Sequence, residues 1–119
     1  MRLRLLIAAL IFATILALLE WLALADFLYW RYVWFDTVMH FVGGLSLGTF
    51  IVALLPRFRP VFYIVAVAVL VVGWEVFEAV IGTPRAQNFF FDTSVDLLMD
   101  AIGATVAYVL ARNTLWRSV

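Results

Sequence analysis

Asp36 and His40 stand four residues apart, Glu75 and Glu78 three apart, and Asp92, Asp96 and Asp100 recur at intervals of four. On an α-helix each of these spacings puts the side chains on one face, about a turn apart. Carboxylate oxygens joined by one imidazole form a donor set for a divalent cation. Mg²⁺, Mn²⁺, Ca²⁺ and Zn²⁺ all accept such ligands, and the residue types do not choose among them. The best ligands on this reading are Asp36, His40, Glu75 and Asp100, with Glu78, Asp96 and Asp92 as second choices. With one coordination position open, the metal would activate water or grip a lipid phosphate, and Glu78 or Asp96 would then serve as general base in a hydrolase or transferase. No motif demands catalysis, so binding of a cation or a lipid headgroup without a reaction stands beside the enzyme reading.

Plainer roles exist for several of these residues. Asp92 and Asp96 also suit the positive end of a helix, as caps. Glu20 and Asp26 fall at the outer end of an apolar run and read as interfacial and solvated. A lone histidine is usually structural, but His40 shares a face with Asp36. Glu75 is the hardest to assign a bland role, because it sits inside an otherwise apolar stretch.

The elements that must position these groups are membrane helices. The 119 residues are 67% hydrophobic and 13% charged, and the mean hydropathy is +1.11. No water-soluble domain of this size carries such a composition. Four spans of about 20 residues fit the length, as one all-α transmembrane bundle without a separate soluble domain. They are expected at about residues 3–25, 35–55, 61–81 and 94–111. The first has a rival reading as a signal peptide, since Arg2 and Arg4 precede it and Ala23-Leu24-Ala25 precedes Asp26, but the apolar run is longer than a usual signal core. Asp26 to Trp34 reads as an aromatic, interfacial junction. Pro56 stops the second span, Gly82-Thr83-Pro84 stops the third, and residues 83–94 read as the longest loop. Thr93-Ser94-Val95-Asp96 resembles a capping box at the start of the fourth span. Gly44 and Gly48, and Gly103, Ala107 and Ala111, fall at intervals of four and allow close helix contact.

Arginine sets the expected orientation. Arg2, Arg4, Arg57, Arg59, Arg112 and Arg117 lie at one end of a four-span bundle, against Arg31 and Arg85 at the other, so both termini are expected to be cytoplasmic. All eight acids then fall in the outer half. With about 1.5 Å of rise per residue, His40 lies roughly 8–12 Å below the outer surface, and Glu75 and Asp100 each about 9 Å, in one layer. An unpaired charged side chain costs about 2.5–3.5 kcal/mol at the bilayer centre, so carboxylates inside the spans should face one another, a counter-ion or water rather than lipid.

A zero net charge excludes a basic nucleic-acid footprint, and all eight basic residues are arginine, a weak mark of a GC-rich genome. Cysteine is absent, which excludes disulfides and thiolate sites within the chain. The partners expected are membrane lipids, together with further copies of the chain or the subunits of a larger membrane complex. An accessory subunit of such a complex, or a proton- or ion-coupled transporter, is the alternative function.

Phe35-Asp36-Thr37-Val38-Met39-His40-Phe41-Val42-Gly43 resembles the D-x-x-x-H-F helix of the YjdF-like and VanZ-like bacterial membrane proteins. Trp74-Glu75 is similar to the acid of their third helix, and Asp92-Thr93-Ser94-Val95-Asp96 followed by Gly103-Ala104 is similar to the D-T-x-x-D then G-A pattern of the YjdF-like group. The resemblance covers residues 35–111. It departs from the VanZ-like pattern at Asp100, where that family usually has asparagine, and at Thr37, where it has lysine. The resemblance implies a multi-pass protein of a prokaryotic inner membrane and cell envelope whose activity is poorly defined, with a link to glycopeptide tolerance on the VanZ-like side.

Overall fold

In the computed structural model, residues 2–55, 59–82 and 89–114 are described. Every element is helical: α1 (Arg2–Ala25), α2 (Leu28–Arg31), α3 (Phe35–Leu54), α4 (Pro60–Ile81) and α5 (Phe89–Thr114). Four of them, all but the single turn α2, are long and apolar enough to cross a membrane. The longest dimension is 45 Å, which matches the depth of a bilayer with its headgroups, about 40–45 Å.

Local chemistry sets the boundaries. Leu55 precedes a proline and takes an extended ψ of 122°, since proline disfavours the helical region for the residue before it. Pro60 opens α4 at its first position, where no backbone N–H is needed. Gly82 closes α4 in the left-handed region, φ 72°, and its N–H donates to the Glu78 carbonyl at 3.0 Å, the usual glycine cap. Between α1 and α3 the junction is ordered as α2, which begins after Phe27 in a left-handed conformation, φ 56°. Tyr29 and Phe35 meet edge to face at 5.2 Å across it.

The start of the last span corrects the sequence reading. Residues 89–94 are the first turns of α5, and the remainder of the expected loop, residues 83–88, lies outside the described residues. Thr93 and Ser94 are inside the helix, where Ser94 Oγ donates back to the Phe90 carbonyl at 2.6 Å instead of capping. A hydroxyl can satisfy itself this way within a helix, so the cap-like sequence did not mark a terminus. Asp92 lies in the first turn of the helix, where its charge suits the positive end of the helix dipole.

α3 is the centre of the bundle and packs against α1, α4 and α5, most extensively against α5. Small residues make that closest pair. A Cβ at Gly44 would fall 2.9 Å from the Cα of Asp100, and one at Gly103 would fall 2.7 Å from the Leu45 backbone nitrogen. At Gly48 it would fall 2.8 Å from the Ala107 Cβ. The glycine and alanine stripes therefore do hold two backbones together, which is how spans associate when lipid removes the hydrophobic drive. Toward the end that carries the chain's first residues, Ile51, Val52, Tyr63 and Ala111 form an apolar core that Leu5, Leu55 and Tyr108 flank. The Tyr63 hydroxyl donates to the Ala104 carbonyl at 2.5 Å and ties α4 to α5 there. Large apolar side chains such as Leu10, Leu18, Val61, Phe62, Ile64 and Val80 are exposed on the outside of the bundle, as lipid-facing residues should be.

Candidate metal centre and adjoining cavity

His40, one and a half turns into α3, is the hub of the opposite end. Its Nδ1 lies 3.1 and 3.2 Å from the two carboxylate oxygens of Asp100 on α5. The same nitrogen is 4.0 Å from Glu75 Oε1 on α4. On the other side of the ring, Nε2 is 3.5 Å from Asp36 Oδ1, one turn earlier on α3, and 3.4 Å from Asp96 Oδ2 on α5. Four carboxyl groups from three helices thus surround one imidazole. His40, Glu75, Asp96 and Asp100 are 8, 5, 2 and 7% exposed, so solvent does little to screen them.

The packing explains why these groups converge. The Gly44–Gly103 contact draws the backbones of α3 and α5 together directly below His40, bringing Asp100 within hydrogen-bonding distance of the ring. Asp96 is one turn further along the same face and meets the other ring nitrogen. Glu75 enters from α4, with both its oxygens shielded from solvent.

Two sets of side chains offer ligand atoms that lie within 4.8 Å of one another. One is His40, Glu75, Glu78 and Asp96; the other is Asp36, Asp92 and Asp96. All seven acid and imidazole candidates from the sequence are therefore gathered at one end of the bundle, but their ranking changes. Asp96, a second choice, is the most buried of them and belongs to both sets. Asp100, a first choice, pairs with the imidazole and belongs to neither. An ionised carboxylate only accepts, so the Asp100 contact calls for a proton on Nδ1, and the approach of Asp36 and Asp96 to Nε2 calls there for a second proton or a shared cation.

Charge bookkeeping constrains what the cluster can hold. Even an imidazolium at His40 would balance only one of the surrounding carboxylates. Several more negative charges at this depth require protons or a cation. A divalent ion offsets two charges and takes 4–8 oxygen or nitrogen donors, depending on the metal, so the donor set fits one.

A cavity of about 450 Å³ opens beside the cluster, within the range of small-molecule sites, about 300–1,000 Å³. One end is polar, lined by Glu20, Tyr29, Asp36, His40, Glu78 and Asp100. Leu16, Leu47, Leu70, Val71 and Met39 line the rest. Glu20 is half-buried rather than solvated as the sequence suggested, and it accepts a hydrogen bond from the Tyr29 hydroxyl. Burial, followed by that bond and the charge of Glu20, pushes the Tyr29 hydroxyl well above its ordinary pKa, so it stays a neutral donor. Trp74 Nε1 donates to Glu78 Oε1 at 2.8 Å and orients that carboxylate at the rim. Asp26 is exposed, as expected of an interfacial acid.

Tyr29 and Gly43 were not singled out in the sequence. Tyr29 was hidden among the aromatics of the junction, and Gly43 beside the packing glycine Gly44, although a Gly-Gly pair inside a span signals two different faces with little bulk. Comparison with known proteins gives no match of any kind, to a family model, to a characterised protein or to a solved structure.

Proposed function

We propose that this chain is a multi-pass membrane protein that binds a divalent cation at its outward end and presents it to the phosphate of an envelope lipid. The observation that carries the reading is the convergence of His40, Glu75, Glu78 and Asp96, from three helices, with ligand atoms inside 4.8 Å. Asp100 would hold the imidazole by Nδ1 while Nε2 ligates, the arrangement common to metal-bound histidines. Asp36 and Asp92 would complete the coordination or hold a ligand water. The residues fit Mg²⁺, Mn²⁺, Ca²⁺ or Zn²⁺ by type. If the site catalyses hydrolysis or transfer at the phosphate, Glu78 is the better general base than Asp96, because it is half-buried at the cavity rim while Asp96 is enclosed.

The orientation belongs to the same proposal: both termini cytoplasmic, in a prokaryotic inner membrane, with the acids on the outer side. The arginine distribution supports it, as does the resemblance of residues 35–111 to YjdF-like and VanZ-like proteins. A transport role has less support, since the other half of the bundle is filled by Ile51, Val52, Tyr63 and Ala111 and holds no buried carboxylate among the described residues.

The test is elemental analysis of detergent-purified protein after removal of loosely held ions, with His40→Ala and Glu75→Ala alongside. A stoichiometric metal in the wild type, lost from both variants, is the expected result. Wild-type protein that stays metal-free after incubation with each of the four ions would overturn the reading.

A further inference from the structure

The acids account for one end of the cavity and leave its apolar length unexplained. From Asp36 to Leu47 on α3 is eleven residues, about 16 Å of helix at ~1.5 Å per residue. Over that distance the lining changes from carboxylates to leucines. Gly43, in the middle of the wall, would meet nothing within 4 Å if it carried a Cβ. It faces open space, in contrast with its neighbour Gly44, whose missing side chain is filled by the backbone of α5.

The cavity is also open in a particular direction. Leu16 and Glu20 of α1 form one side and Leu70, Val71 and Trp74 of α4 the other. Yet no Cα of α1 comes within 8 Å of one in α4 among the described residues, whereas packed helices have axes only about 8–10 Å apart. Both helices are membrane spans by length and hydropathy. With both helices spanning a bilayer, the gap between them would face the hydrocarbon layer as well as water.

From these observations we infer that the cavity takes the hydrocarbon chain of a phosphate-bearing lipid that enters between α1 and α4, with Gly43 leaving the room the chain occupies. The inference rests on the proposed metal site. The described residues lining the polar end include Glu20, Asp36, Glu78 and Asp100 and no arginine, so among them a phosphate's charge would be offset by a bridging cation. The Tyr29 hydroxyl, a neutral donor at the same end, could turn to the headgroup once Glu20 is solvated or displaced.

Gly43→Leu makes the test clean, because the added side chain meets no existing atom at its Cβ and replaces glycine inside a helix with a good helix former. The purified protein, held in an amphipathic polymer rather than detergent and loaded with Mn²⁺, is titrated with dodecyl phosphate, inorganic phosphate and dodecyltrimethylammonium by calorimetry. Dodecyl phosphate is expected to bind at least tenfold more tightly than inorganic phosphate, and at least tenfold more weakly after Mn²⁺ is chelated. Gly43→Leu should lose at least tenfold in affinity for dodecyl phosphate while keeping its Mn²⁺ and its thermal stability, since excluding even a few methylenes from an apolar wall has that size of effect. Equal binding of dodecyl phosphate by the wild type and Gly43→Leu overturns the inference, as does inorganic phosphate that binds as tightly as the alkyl ester. Dodecyltrimethylammonium bound tightly by metal-free protein would also overturn it, and would make the occupant a cationic amphiphile. Failure of the wild type to take up Mn²⁺ at all refutes the metal site instead, so the two failures are told apart.

Discussion

Gly43 and Gly44 are adjacent in sequence and opposite in consequence, which permits a sharp test of how the site is held together. In Gly44→Ala the new Cβ would lie 2.9 Å from the Cα and carbonyl carbon of Asp100 and closer still to the carbonyl oxygen. All three are backbone atoms of a helix, so they cannot swing aside, and carbon atoms prefer about 3.5–4.0 Å. α3 and α5 must therefore part by about 0.5–1 Å or more at this level. Overpacking of this kind costs about 1–3 kcal/mol. In Gly43→Ala nothing is touched, and helix propensity alone should stabilise by up to about 1 kcal/mol. The propensity gain is common to both variants, so they should differ by the overpacking cost, about 1–3 kcal/mol in stability, read as the order of their thermal unfolding midpoints in one detergent. Because the parting helices carry His40 and Asp100 with them, Gly44→Ala should also hold Mn²⁺ more weakly than Gly43→Ala. If Gly44→Ala melts with Gly43→Ala and binds the ion equally well, the close α3–α5 contact is not what assembles the site.

Other expectations follow from single contacts. Tyr63→Phe removes the hydroxyl that bonds the Ala104 carbonyl and should cost about 0.5–1.5 kcal/mol of stability, while Mn²⁺ affinity, measured at the other end of the bundle, stays as in the wild type. Mn²⁺ affinity should fall steadily on acidification, because the carboxylates and the imidazole must be unprotonated to ligate; titrations in mildly alkaline and mildly acidic buffer check this, and an affinity independent of pH would speak against carboxylate ligation. The chain has no cysteine, so single substitutions report topology: Asp26→Cys, exposed after α1, should react with a membrane-impermeant maleimide on intact cells, and Asn113→Cys, exposed near the end of α5, only after lysis. The reverse pattern would put the acids in the cytoplasm.

Hydropathy made the spans legible almost to the residue: 35–55 was expected where α3 is Phe35–Leu54, and 61–81 where α4 is Pro60–Ile81. It failed at α5, because serine and threonine beside an aspartate look the same whether they end a helix or bond back within one. The convergence of the acids on His40 was legible too, since helical spacing and depth put them in one layer. The roles were not. Whether Asp96 or Asp100 faces the centre depends on the rotation of α5 about its axis, and that is set by the contact of Gly44 with Gly103, a pattern of small residues that says two helices touch without saying which way they turn. The cavity was invisible for a related reason. Leu16, Leu47 and Leu70 are indistinguishable in sequence from lipid-facing leucines, and only the separation of α1 from α4 makes them its walls.

The central claim is that a divalent cation sits between one imidazole and several carboxylates, and pulsed electron paramagnetic resonance of the Mn²⁺-loaded protein tests it most directly. Modulation from a single ligated histidine nitrogen is expected in the wild type and absent from His40→Ala. Bound Mn²⁺ with no nitrogen coupling, or with coupling that survives His40→Ala, would contradict it.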